Sequence, residues 1–313
     1  MSPLFTVITP SMNAGSMLAD ALSSLRDQAE GAAFEHLLLD GGSTDDTLRV
    51  ASGFDFVTVI SEKDRGLYDA INKGAARARG DWLVLLQADD WLPPGAFAAW
   101  AAGIAANPEA QVVTGIPARL ESRAGVWVER EKSDDAAGQQ LSVYNIALGD
   151  PMLNARTIRR DVFHAVGGFS TDYAYCSDRD FLLKLLSAGV RSIEIDQHVY
   201  RYRWHEGSMT MNDGNELAGD IASECLLIAE RWMERVAEAD RHVLREWHEK
   251  VSYQQVLRAL EAGNLVAAVN SMRRAVGTNP VWLAGFVAEF SRCFAGYVAR
   301  GCRTKTQVRR AAR

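Results

Sequence analysis

The chain has 313 residues, 48% of them hydrophobic and 24% charged, a globular composition with room for one large or two modest domains, which excludes disordered, collagen-like and disulfide-framework classes. A formal net charge of -6 argues against a general nucleic-acid binder, because most of the surface would repel a polyphosphate backbone. Six of the 34 basic residues lie between Arg300 and Arg313, where no acid stands, so residues 1–299 carry 28 basic against 40 acidic groups, and the tail is either a contact for anionic lipid or a partner, or a solvated terminus.

Short apolar runs at Leu4 to Thr9, Phe34 to Leu39, Phe56 to Ile60, Trp82 to Leu86 and Gln111 to Thr114 predict strands, with helical patterns over 16–29, 45–52, 68–79 and 94–106. This βαβα alternation predicts a mostly parallel sheet covered on both faces, with ligands bound outside the carboxyl ends of its strands. Those ends hold Thr9-Pro10-Ser11, Asp40-Gly41-Gly42-Ser43 and Gln87-Ala88-Asp89-Asp90. Between 116 and 210, strand alternation recurs at Arg119 to Arg130 and Arg191 to Arg203, Gly167-Gly168-Phe169 is a turn, and Ser177 is the expected cap of a helix over Asp178 to Ser187. Beyond Gly214 the pattern is helical: one long segment from Glu216 to Lys250, a hairpin of Tyr253 to Glu261 and Leu265 to Ala275, and a last helix from Trp282 to Arg300 that packs on the body or lies at a membrane surface.

Cys176, Cys225, Cys293 and Cys302 form no CxxC pair and are expected as reduced thiols of a cytoplasmic protein. The N-terminus lacks a basic region followed by a long apolar run, and Trp91 to Pro108 is too weakly apolar for a membrane span.

Adjacent carboxylates such as Asp89 and Asp90 repel one another unless a cation intervenes, and a hard divalent ion shared with diphosphate oxygens is one solution; a helix cap followed by a solvated acid is the other. Asp40 could accept a hydrogen bond from a base imide, while Ser43 or Asp45 caps the next helix. Asp69, Asn72 and Lys73 fall within about one helical turn, where they line a nucleotide cleft or solvate a helix face. No useful GxGxxG or GxxxxGKS occurs, which disfavours a dinucleotide site or a P-loop, and the loop after the first strand lacks the basic residues of a nucleotidyltransferase.

Four ordered segments, Thr6 to Asn13, Leu39 to Thr47, Glu62 to Gly74 and the strand ending in Asp89-Asp90, together resemble the signatures of the family 2 glycosyltransferases over about residues 3–210. The resemblance implies a GT-A type α/β fold, a mostly parallel sheet flanked by helices with an all-helical C-terminal extension. It implies a catalytic domain over 1–213, with a nucleotide-sugar half at 1–115 and an acceptor and base half at 116–213, followed by a helical region at 214–313. It places Pro10, Ser11 and Asn13 near the nucleoside, Asp40 at the base, Asp64 and Arg65 over it, Asn72 and Lys73 along the donor cleft, and Asp89 at the ribose or metal. Asp90 would hold Mg2+ or Mn2+ against the diphosphate, although Ala88 stands where the family's metal-binding triplet begins with an acid. Asp178 matches the catalytic base, with Asp180 as its rival; His205 would ligate metal or diphosphate or be a hydrogen-bonded loop histidine, and Arg203 would neutralise the leaving diphosphate. The implied reaction is inverting transfer from a nucleoside-diphosphate sugar, UDP-sugar favoured, to a hydroxyl acceptor, saccharide or lipid-linked, in surface-polysaccharide synthesis. Peripheral contact with an anionic membrane through the last helix and basic tail, self-association, and an inactive scaffold are the accompanying alternatives.

Overall fold

In the computed structural model the described residues are 3–28, 31–123, 125–129, 137–149, 152–205, 215–278 and 282–283. The chain divides into two compact units, Met1–Leu244 and Arg245–Arg313. Among the described residues the first unit carries one mixed sheet in the order β3-β2-β1-β4-β7-β5-β6, with β8 on the other side of β5. Its strands are β1 (Phe5–Ser11), β2 (Phe34–Asp40), β3 (Val57–Ser61), β4 (Trp82–Leu85), β5 (Val112–Arg123), β6 (Val126–Glu129), β7 (Arg156–Arg159) and β8 (Ser192–Trp204). Strands β1 to β4 run parallel as the alternation predicts, but β7 lies antiparallel between β4 and β5, and β6 is antiparallel to β5.

Helices α1 (Leu18–Arg26), α2 (Thr47–Ala51), α3 (Leu67–Arg77) and α4 (Ala96–Ala106) follow the first four strands. Every residue of β1 is buried, as a central strand covered on both faces requires. Gly74 lets α3 approach the sheet: a Cβ there would stand 2.7 Å from Ile8 and 2.9 Å from Leu39. Across the sheet, Phe5, Phe97 and Trp100 form an aromatic core with ring centroids 5.0–6.3 Å apart.

The second half departs from the apolar pattern at one place for a clear reason. Gly115 and Pro117 interrupt the run after Thr114, yet β5 continues to Arg123 with irregular pairing to β8 on both sides of Ile116. A side chain at Gly115 would collide with Val199, so the glycine is what lets the two strands meet. Helices α5 (Val143–Leu148), α6 (Arg160–Ala165) and α7 (Ser177–Ser187) complete this half.

The helical region begins with α8 (Asn215–Met233), continues through α9 (Arg241–Glu261) and ends with α10 (Leu265–Thr278). The single helix expected over 216–250 is therefore broken. Ala237 is extended, and Glu238 and Asp240 form a new helical start whose negative charges favour the N-terminus of α9. Tyr253 to Glu261 is the last part of α9 rather than a separate helix. Among the described residues no helix is long and apolar enough to cross a membrane. The helix expected beyond Leu283 and the basic tail lie outside the described residues, as do Cys293 and Cys302.

Candidate active site

The polar strand ends form one rim, and the loops after β1 and β2 are zipped together by side chains that bind backbone. Asn13, at a left-handed φ of 52°, donates its N–H to Ser43 Oγ at 2.8 Å and accepts the Thr44 N–H on Oδ1 at 2.9 Å. Ala14 and Gly15 donate to Thr47 Oγ1 and Asp45 Oδ2, each at 2.9 Å. Asp40 is buried and accepts from Ser61 Oγ at 2.7 Å and from the Ser43 and Gly42 N–H groups at 3.2 Å. Burial opposes its charge, but the bonds from Ser43, Ser61 and Gly42 outweigh it and hold the carboxyl below its ordinary value. Pro10 and Ser11 end β1 and are buried, and Ser11 Oγ has no hydrogen-bond partner among the described residues.

At the mouth beside this loop, Asp64 Oδ1 accepts the Gly66 N–H at 2.8 Å, and a Cβ on Gly41 would come 2.7 Å from Asp64 Oδ2. Arg65 bends back to Asp69, which also meets Lys73 Nζ at 3.1 Å; the Arg65 hydrogen bond is the main reason that the Asp69 carboxyl falls to about 2. Lys73 also donates to the Lys63 carbonyl at 2.7 Å. The Asn72 amide donates to the Phe169 carbonyl at 2.9 Å and accepts the Phe169 N–H at 3.0 Å. It pins the glycine turn, where Gly167 and Gly168 have φ of 83° and 62°.

The two adjacent acids after β4 point to different surroundings. Asp90 is fully buried, accepting from Tyr200 Oη at 2.6 Å and from the Arg203 N–H at 2.8 Å. Burial, reinforced by the charge of Asp89, pushes its carboxyl well above the ordinary range. Both oxygens of the residue expected to hold a cation are thus hydrogen-bonded inside the protein. Asp89, with its side chain 34% exposed, instead stands with Oδ2 3.1 Å from His205 Nε2. Arg203 is a buried strut rather than an open cation: it bonds the Asp89 carbonyl and Asp20, the latter at 2.8 Å, and its guanidinium lies 4.8 Å from the Trp91 ring and 5.7 Å from Trp127.

Among the described residues no cluster of three His, Cys, Asp or Glu side chains could enclose a metal. The Asp89–His205 pair nevertheless fits a cation shared with a ligand, because magnesium-type sites commonly take only one or two protein carboxylates and fill the rest with phosphate oxygens and water. Donor atoms roughly 3 Å apart also match neighbouring positions on an octahedral ion with bonds of about 2.1 Å.

Asp178 lies in the first turn of α7, partly buried. Burial and then the Asp178 charge raise the Tyr68 phenol well above its usual value, and burial lowers the Arg156 guanidinium to about 10 while Glu194 and Asp178 oppose that fall. Both shifts put Tyr68 and Arg156 within electrostatic reach of Asp178. Arg156 begins β7, antiparallel to β4, and so stands at the same rim as Asp89. Asp180 is enclosed, taking the Trp232 Nε1–H at 2.8 Å and Lys184 Nζ at 3.0 Å. Ser177 is not the cap expected for this helix: its hydroxyl donates to the Ser170 carbonyl at 2.7 Å, and Cys176 occupies the cap position. The residues that sequence spacing missed are Arg156, one of three arginines within five residues, and Tyr200, an aromatic in an alternating strand; their burial sets them apart. A cavity of about 420 Å³ beside the C-terminal half of α7, lined by Leu141, Leu183, Leu186 and Arg235 among others, holds none of these carboxylates.

A family model described as Glycosyl transferase family 2 matches residues 6–167. A PGL/p-HBAD biosynthesis glycosyltransferase of Mycobacterium bovis is 32% identical over 204 residues, covering 59% of this chain and 71% of the relative. Among solved structures, S. aureus TarS 1-349 in complex with UDP-GlcNAc is 17% identical with a TM-score of 0.56, covering 90% of this chain and 92% of that one. The mannosyltransferase PcManGT of Pyrobaculum calidifontis, in complex with GDP-Man and Mn2+, is 17% identical with a TM-score of 0.58, covering 92% and 84%.

Proposed function

The chain belongs to the family 2 glycosyltransferases, nucleotide-sugar-dependent enzymes of glycan synthesis, and from that premise we propose that it transfers a sugar with inversion from a UDP-sugar to a hydroxyl of a saccharide or lipid-linked acceptor. The observation that carries this reading is the meeting of Asp89 and His205 at 3.1 Å, on a rim that Arg156 links to Asp178. Mg2+ or Mn2+ held by Asp89 and His205 would offset the charge of the diphosphate and stabilise it as a leaving group. Asp178 accepts the proton of the acceptor hydroxyl as the sugar is displaced in one step. It stands in the first turn of α7, with Arg156 within electrostatic reach. Asp64 and Arg65 stand over the donor, while Asp40, Asn13 and Asp69 keep the loops in shape through the bonds described above. A lipid-linked acceptor would be met at the cytoplasmic membrane face.

The test is a calorimetric screen of UDP-, GDP-, CMP- and dTDP-sugars with Mn2+, Mg2+ or EDTA, together with Asp178→Asn. Binding of one UDP-sugar that is lost with EDTA is expected, and Asp178→Asn should keep donor affinity within about threefold while turnover drops roughly 10²–10⁴-fold. Wild-type turnover by Asp178→Asn would remove the base assignment. Silence from every nucleotide on folded protein would restore the inactive-scaffold alternative.

A further inference from the structure

The loop that enters α7 is held by a carboxylate from the helical region. Glu224, on α8, accepts three consecutive backbone N–H groups: Ala174 on Oε1 at 2.7 Å, and Tyr175 and Cys176 on Oε2 at 2.9 Å each. Cys176 is the cap of α7, and Asp178 follows two residues later. Helix entries leave backbone donors without intrahelical partners, and an ionised acceptor forms the stronger class of hydrogen bond to them. Around these three bonds the loop is fixed again, by Tyr68 Oη donating to the Tyr175 carbonyl at 2.8 Å and by Cys176 Sγ lying 3.5 Å from Cys225 Sγ, the residue after Glu224. The family match ends at residue 167, so Glu224 belongs to a part of the chain that the match does not cover.

We propose that Glu224 is a positioning residue for sugar transfer, fixing the backbone of residues 174–176 so that the Asp178 carboxylate is held in place for the acceptor hydroxyl. The helical region thereby supplies part of the catalytic geometry. The proposal rests on Asp178 as the base. A carboxylate is suited to the task because its two oxygens can take three N–H groups at once, whereas a glutamine would turn an N–H donor toward at least one of them.

Glu224→Ala and Glu224→Gln are compared in full-length protein carrying Cys293→Ser and Cys302→Ser, which leaves Cys176 and Cys225 as the only thiols. Three quantities are measured: nucleotide release from UDP-glucose, UDP-N-acetylglucosamine and GDP-mannose with Mn2+, affinity for UDP by calorimetry, and the rate at which an aromatic disulfide reagent labels the thiols. Glu224→Ala is expected to lower kcat by roughly 10²-fold, the scale of a misplaced reacting group, with donor KM and UDP affinity within about threefold of the parent. Its thiols should label at least tenfold faster, and Glu224→Gln should fall between Ala and the parent in both respects. A kcat within threefold of the parent for both variants would overturn the proposal. So would UDP affinity falling in step with kcat, which would make Glu224 a general brace, or thiol labelling that does not change. A parent that turns over none of the three donors would sink the reading of Asp178 and this proposal with it, an outcome distinct from failure of the variants alone.

Discussion

Asp40 ends β2 and Asp90 lies in the loop after β4, the two strands that flank β1, and both are closed to solvent, yet their carboxyls shift in opposite directions. Burial works against the charge of each. At Asp40 it is outweighed by the Ser43 and Ser61 hydroxyls and the Ser43 and Gly42 amides. At Asp90 burial is reinforced by the charge of Asp89, and the Tyr200 phenol and Arg203 N–H only partly compensate. Depth in the protein therefore does not decide which carboxylate carries charge; the number of donors and the sign of the neighbour do. The consequence at the rim is a division of labour. The charged form is supported at Asp40 and disfavoured at Asp90, and Asp89 is the partly exposed acid, beside His205, on which the proposed cation site rests.

The largest effect that would break this comparison concerns the two adjacent acids. Asp89→Ala should lower metal-stimulated turnover by about 10³-fold, comparable with removing a group that stabilises developing charge, while unfolding free energy stays within about 1 kcal/mol. Asp90→Asn should retain most of the turnover, because a neutral side chain replaces one already pushed toward neutrality. Nucleotide release measured with Mn2+ and with EDTA checks both variants. Equal losses would show that Asp90 acts on the ligand and would erase the distinction.

A smaller effect separates the two buried acids in stability. Asp40→Asn replaces a charged acceptor with an amide facing two N–H groups and should cost about 1–3 kcal/mol. Asp90→Asn can still accept the Arg203 N–H and offer its own N–H to Tyr200, and should stay within about 1 kcal/mol of the parent. Urea unfolding of the two variants gives the comparison directly.

The parts of this arrangement that spacing could reveal are those set by local order. Alternating apolar runs located β1 to β4 because each strand is short, apolar and followed by polar or glycine residues, and the Gly167-Gly168-Phe169 turn marked the approach to α7. What spacing could not separate was Asp89 from Asp90. Their difference comes from Tyr200 and Arg203, which arrive along β8 more than a hundred residues later. Nor could spacing find the partner of Asn72: one helical turn from Asp69, its amide is matched to the Phe169 backbone 97 residues away. Ser177 carried a good cap signal, but its hydroxyl is turned to the Ser170 carbonyl, seven residues back, and the helix begins one residue earlier than spacing suggested. Polar residues in a sequence announce a capacity for hydrogen bonds, while the choice of partner belongs to the packing.

The finest test uses pH. A group whose folded value is lowered, as at Asp40, adds stability above the ordinary carboxylate value of 3.8 and loses it as pH falls through the folded value. A group whose folded value is raised, as at Asp90, does the reverse: above 3.8 the unfolded chain has given up a proton that the folded chain retains, so its contribution declines as pH rises toward the folded value. His36, lowered by burial from 6.5 to about 3, also costs stability as pH falls below 6.5, but it is present in every chain compared and cancels. The Tm of Asp40→Asn relative to the parent should thus become less favourable as pH rises across the acid range and then level off. That of Asp90→Asn should become more favourable over the same rise and continue beyond it. These are changes of a few degrees, since about 1 kcal/mol moves Tm by roughly 2–4 °C in a domain of 150–250 residues. Difference curves of equal slope would mean that the two carboxyls are ionised alike in the folded protein, and the contrast between the strand ends would then have to be sought in shape rather than in charge.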